Sequence, residues 1–173
     1  MYKLKNITIA LGFFLLNIAP IQAQVIDPKY EAIFIYNFTK YIEWPRVDGH
    51  GEFIIGILGQ GAIISEMQLM ASQKLVGDRK IIIKVFENAE NIEHCHLLFI
   101  TKKQSALLAV AQQKLAGMTT LYVTENPGMA LKGADINFIS KVNKVLFELN
   151  EKTMEQHNLQ VSSDLKKFAV ILN

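Results

Sequence analysis

Four short apolar runs constrain the fold of this chain more than any other feature. They are Phe53-Ile54-Ile55-Gly56-Ile57-Leu58, Ile81-Ile82-Ile83-Lys84-Val85-Phe86, Leu97-Leu98-Phe99-Ile100 and Thr119-Thr120-Leu121-Tyr122-Val123. β-Branched and aromatic side chains dominate them, so they read as strands. With little alternation, they read as strands buried on both faces. Stretches with helical spacing lie between them. Ile63, Ile64, Met67, Leu69 and Met70 follow the first run. After the third comes a helix over residues 103–115, with Leu107, Leu108, Val110, Ala111 and Leu115 apolar and Gly117 as its stop. Residues 75–80 read as a turn or loop around Gly77-Asp78, and residues 87–93 as a polar connection. Strands alternating with helices predict an α/β domain. Its sheet is mixed but mostly parallel, has about six strands and carries helices on both faces.

Upstream, residues 33–45 read as a helix. Phe34, Ile35, Phe38, Tyr41 and Ile42 fall on one face, and Tyr36, Asn37, Thr39, Lys40 and Glu43 on the other. Pro28 suits a first turn, where its missing N–H costs nothing. Pro45 pushes Trp44 out of the α region and ends the helix there, leaving Trp44 at a corner. Such aromatic density is the largest burial payload in the chain and is expected to anchor the core. Asp27 and Glu31, just before it, read as solvated charges.

The last third changes character. Residues 135–139 alternate polar and apolar, as residues 144–149 do less cleanly, with Val142-Asn143 between them. This predicts an antiparallel hairpin at one edge of the sheet. Asn150 is a good N-cap for a helix from residue 151 to about residue 157. Ser162 or Ser163 can cap a final turn carrying Leu165, Phe168 and Ala169. The apolar tail Ala169-Val170-Ile171-Leu172 either packs on the domain or meets a partner.

Residues 1–23 do not belong to this domain. Lys3 and Lys5 form a positive start, residues 7–18 are almost wholly apolar, and Ile21-Gln22-Ala23 ends in a small residue. That is the pattern of a secretory signal peptide cleaved near Ala23, with an uncleaved membrane anchor as the alternative. A single domain over residues 24–173 remains, and a periplasmic location is expected. Removing Lys3 and Lys5 from the 18 basic residues leaves 16, which match the 16 acidic ones. No Lys/Arg run survives, so neither nucleic acid nor an acidic membrane surface is an expected partner. Cys95 is the only cysteine, so an intrachain disulfide is impossible. A buried, inert thiol is expected, and a bridge between two chains is the sharper alternative.

No motif marks catalysis. Gly56-x-x-Gly59-x-Gly61 follows a strand, but its spacing fits neither dinucleotide nor P-loop patterns. His94 and His96 could clamp a metal only with help from His50 or His157, and two ligands are too few for a structural zinc site. No cofactor and no metal are expected, and an enzyme is the weakest reading. A periplasmic small-ligand binding protein is the alternative to an interaction protein.

Read together, several stretches resemble the YfiR/HmsC-like family of exported bacterial proteins. They begin with Phe38-x-Lys40-Tyr41-x-x-Trp44-Pro45, Gly77-Asp78-Arg79-Lys80-Ile81-x-Ile83 and Cys95-His96-Leu97-Leu98-Phe99-Ile100. Gly133-Ala134-Asp135-Ile136-Asn137-Phe138 and Lys144-Val145-Leu146-Phe147-Glu148-Leu149-Asn150 follow. The last is Leu159-Gln160-Val161-Ser162-Ser163-x-Leu165-x-x-x-Ala169. The resemblance covers nearly all of the mature chain and implies a non-catalytic periplasmic regulator. Such proteins restrain an inner-membrane diguanylate cyclase by binding its periplasmic part, which lowers cyclic di-GMP and biofilm formation. An outer-membrane lipoprotein can sequester them. The membrane partner need not be a cyclase, since a similar domain could restrain a sensor kinase, and a homodimer is allowed. Two departures stand out. The family's namesake is disulfide-bonded, whereas this chain keeps only Cys95, and Arg79 lies one residue further from Gly77 than the usual Gly-Arg pair.

The partner is expected on the hairpin and the tail, around Phe147, Glu148, Val161, Ile171 and Leu172. A half-exposed hairpin strand at a sheet edge offers unpaired N–H and C=O groups to another chain.

Overall fold

The computed structural model describes residues 26–45, 51–141 and 144–172. The proposed leader, His50 and the Val142-Asn143 turn lie outside the described residues. The described residues begin with helix α1 (Pro28–Tyr41), strand β1 (Ile42–Glu43), β2 (Phe53–Leu58) and α2 (Ile63–Gln73). A tight hairpin of β3 (Leu75–Val76) and β4 (Arg79–Phe86) follows, then β5 (Leu97–Ile100), α3 (Leu108–Lys114) and β6 (Leu121–Thr124). The hairpin β7 (Ile136–Lys141) and β8 (Lys144–Asn150) leads to α4 (Glu151–Gln156), β9 (Gln160–Val161), α5 (Ser163–Lys166) and β10 (Ala169–Leu172).

Eight strands form one mixed sheet in the order β10-β8-β7-β6-β5-β2-β4-β3. Strands β2, β4, β5, β6 and β7 run parallel, as their buried apolar runs require. Strand β8 returns antiparallel to β7, β10 lies parallel to β8, and β3 is antiparallel to β4. Side chains alternate between two cores. Ile57, Phe99, Val123 and Phe138 pack with Ile35 and Phe38 of α1 and Met67 of α2. Their chain neighbours Leu58, Leu98, Ile100 and Tyr122 pack with Leu108 and Ala111 of α3 on the opposite face. Gly56 lies within β2, where an added Cβ would come within 2.8 Å of the Phe86 ring and 2.9 Å of Leu98. At Gly59, with φ at 110°, the Thr101 hydroxyl occupies the space of a side chain. These glycines serve packing and a turn, so the weak resemblance to a phosphate loop has a structural explanation.

The caps form as the sequence predicts. Asn150 Oδ1 accepts the Thr153 N–H at 3.2 Å, and Ser162 Oγ accepts the Leu165 N–H at 3.3 Å. Several boundaries differ from expectation. α1 ends at Tyr41, three residues before Trp44, because Ile42 and Glu43 leave as a strand that pairs with Gln160 and Val161 of β9. Tyr41, expected on the apolar face, is exposed, whereas Thr39 is buried. The Thr39 hydroxyl donates to the Tyr36 carbonyl at 2.7 Å, which satisfies it within the helix. Residues 75–80 form the β3–β4 hairpin, and α3 begins only after a 3-10 segment, Lys102–Leu107. The β7–β8 hairpin is not the sheet edge, since β10 adds itself beyond β8.

Candidate functional site

Strict alternation along β7, β8 and β10 gives the end of the sheet two different faces. One face turns to α1. Phe138 pairs in register with Phe147, and these two pack with Leu149, Val145, Ala169 and Ile171 against Phe34 and Phe38. The other face carries Ile139, Leu146, Val170 and Leu172. Ile139 pairs with Leu146, Val170 lies beside Glu148, and Leu172 lies beside Asn150. Ile139, Leu146 and Leu172 are half-buried and Val170 is exposed, and none belongs to either hydrophobic core. Val170 is 40% exposed, and Phe168, just before β10, is 70% exposed. Among the described residues, α3 packs around β5 and β6, and the 3-10 turn Ala130–Lys132 meets β8 only at its Asn150 end, where Asn150 Nδ2 donates to the Ala130 carbonyl at 2.9 Å. Apolar side chains clustered on an open face mark a surface that another molecule can cover.

A polar row crosses the patch. Thr124 Oγ1 donates to Asn137 Oδ1 at 2.7 Å, and Asn137 Nδ2 donates to Glu148 Oε2 at 2.8 Å. Two buried members thereby orient Glu148, which is half-buried at the surface. Beyond this row, β10 ends the sheet, and its outer edge has no strand partner among the described residues. Its N–H and C=O groups on that side are open to strand addition.

The structure sorts the five residues expected to bind a partner. Glu148 and Leu172 lie on the uncovered face. Ile171 lies one residue away but points to the α1 core. Phe147 is 1% exposed and belongs wholly to that core, because β10 displaces β8 from the edge. It can support a docking surface from behind but cannot touch a partner. Val161 pairs with Ile42 in the separate two-stranded sheet and packs on the α1 side. Ile139, Leu146, Phe168 and Val170 escape the sequence reading. The signal that could have found them is the alternation of the tail in step with the hairpin.

The other candidates resolve into structural roles. His96 Nδ1 accepts the Ile54 N–H at 3.0 Å, and its Nε2 lies 2.8 Å from Arg79 Nη2. Arg79 also donates to the carbonyls of Glu52 at 2.6 Å and Gly51 at 3.2 Å, so it clamps the entry to β2. His94 stands edge-on to His96. His157 Nδ1 lies 2.8 Å from Asp135 Oδ1, while Asp135 Oδ2 accepts the Tyr122 N–H at 2.8 Å. Burial pushes the Asp135 carboxyl above its ordinary range, against the opposing pull of His157. Cys95 is fully buried, and burial pushes its thiol up to about 12. Such a thiol is inert, and its burial closes the route to a bridge between chains. Among the described residues no group of three or more His, Cys, Asp or Glu side chains is placed to hold a metal.

Glu31 departs from expectation most. Its side chain is buried rather than solvated, at 3% exposure, and its Oε1 has no hydrogen-bond partner among the described residues. Burial, then the charges of Glu125 and Asp27, raise its carboxyl to about 8. Asp27 instead caps α1, accepting the Lys29 N–H at 2.9 Å.

No curated protein matches the chain. A family described as YfiR/HmsC-like matches residues 28–170, from the first residue of α1 into β10. The match takes in the Arg79 clamp, the capped helices and the uncovered face as far as Val170, and the chain belongs to the YfiR/HmsC-like family.

Proposed function

We propose that the protein is an exported, non-catalytic regulator that docks on the periplasmic part of a membrane-anchored signalling enzyme and restrains it. A diguanylate cyclase is the first candidate, with cyclic di-GMP and biofilm formation as the output, and a sensor kinase the second. Family membership supports the class of function. The single observation that carries the docking is the apolar face of Ile139, Leu146, Val170 and Leu172 beside an open strand edge. An outer-membrane lipoprotein that covers the same face would release the restraint by competition. No helix of the described residues is long and apolar enough to cross a membrane.

Export with cleavage near Ala23 should give a periplasmic protein whose N-terminal sequence begins near Gln24. Recovery of intact Met1 from the cytoplasm would overturn export. On the docking face, Val170→Asp and Leu146→Asp place a charge where a partner would bury it. Each should weaken the complex at least about tenfold, roughly 1.4 kcal/mol or more. Val170→Asp should leave stability within about 0.5 kcal/mol, as for other surface changes. Cyclic di-GMP, or the kinase output, should rise to the level of a strain lacking the protein. Full restraint by both variants would move the docking site elsewhere.

A further inference from the structure

A second recessed surface lies away from the docking face. Glu43, Trp44, Pro45, Asn158 and Gln160 line a crevice of about 470 Å³. That volume falls in the range that holds small ligands, roughly 300–1,000 Å³. Much of the lining is fixed by defined pieces of backbone. Glu43 and Gln160 are register partners across β1 and β9. Trp44 is pinned by its Nε1–H, which donates to the His96 carbonyl at 3.0 Å, and by an edge-on contact with Phe53 at 5.2 Å. Asn158 terminates α4. Its own N–H bonds the Glu155 carbonyl at 3.0 Å, and the next N–H, of Leu159, bonds the Met154 carbonyl at 2.9 Å. This closure needs a left-handed residue, and Asn158 has φ of 56°. Glycine is the usual choice there. Asparagine keeps the turn and adds a carboxamide to the crevice.

The lining chemistry selects a ligand class. Asn158 and Gln160 each offer both donors and acceptors, which is what hydroxyl groups need. Glu43 adds acceptors. Its negative charge repels a phosphate or carboxylate. The indole N–H is already engaged, so Trp44 contributes flat apolar surface, as does Pro45. Such surface suits the C–H face of a sugar ring through dispersion contact. We propose that this crevice binds a neutral saccharide, with its ring on Trp44 and its hydroxyls on Asn158, Gln160 and Glu43. The site stands independently of the docking reading, since none of its residues lies on the docking face.

Trp44 is the only tryptophan, so intrinsic tryptophan fluorescence reports on this crevice alone. The mature protein would be titrated with glucose, galactose, N-acetylglucosamine and their β-linked disaccharides, with choline as an organic-cation control. A saturable change in Trp44 emission is expected with at least one of the saccharides. Gln160→Ala and Asn158→Gly should each weaken it about tenfold, the loss expected for a hydrogen-bonding group. Gln160 is exposed, and glycine suits the left-handed turn, so both variants should fold, which unchanged thermal unfolding would verify. The proposal is overturned by a flat response to every saccharide, by binding in both variants as tight as in the parent, or by a response to choline alone.

Discussion

Glu31→Gln is expected to stabilise the protein by roughly 3–5 kcal/mol at about pH 8 and above, since each tenfold change in proton affinity between the folded and unfolded chain is worth about 1.4 kcal/mol. The carboxyl is raised from 4.5 to about 8, first by burial and then by Glu125 and Asp27. Between those two values the folded chain holds a proton that the unfolded chain releases. The folded state therefore binds more protons, and stability falls as pH rises through this window. Below it both states are protonated and the penalty vanishes. Above it both are ionised and the full penalty applies. Glutamine has the same shape and no charge, and its amide inherits a site where one oxygen already lacks a partner. The gain at low pH should thus be small and should grow with pH. Asp135 is also raised by burial and adds its own slope, so the informative quantity is the difference between variant and parent. Urea unfolding at a series of pH values would measure it. Parallel stability curves for the two proteins would show that Glu31 is ionised and solvated in the folded state.

The buried carboxyl illustrates what the sequence conceals. Glu31 stands four residues before Ile35 and seven before Phe38, which places it on the apolar stripe of α1 once the helix is extended back to Pro28. The sequence places Pro28 in the first turn, but sorting residues by polarity leaves Glu31 in water. The central strands and the caps at Asn150 and Ser162 are legible because their signals are local. Pairing between distant segments is not. Nothing near Ile42 announces its pairing with Val161, and nothing in the apolar tail says that it joins β8 in parallel. Alternation in the hairpin reveals that two faces exist but not which one α1 covers, which is why Phe147 reads as a contact residue and proves to be core. The motif residues that carry the family resemblance mostly build the fold. Arg79 clamps the entry to β2, Asp135 ties β6 to α4, and Trp44 anchors the corner after α1.

Phe38→Ala should cost about 3–5 kcal/mol, the range for removing a fully buried aromatic ring from a core. Phe38 is 0% exposed, and its ring centroid lies 5.1 Å from Phe147, 5.8 Å from Phe138 and 6.3 Å from Phe34. Each such pair adds roughly 0.5–1.5 kcal/mol beyond area alone. Phe147→Ala should cost a similar amount. The double variant should lose less than the sum, because both substitutions enlarge one shared cavity. The consequence reaches the docking face without touching it. Leu146 and Glu148 flank Phe147 on the same strand and point outward, so their placement depends on the packing behind them. Phe38→Ala should therefore weaken restraint of the membrane partner together with stability, whereas Val170→Asp should weaken restraint alone. Urea unfolding paired with the signalling output separates the two. A Phe38→Ala protein that loses less than about 1 kcal/mol would mean that α1 does not anchor the hairpin. Unchanged stability with lost restraint would overturn the account in which Phe38 acts on restraint only through packing behind the docking face.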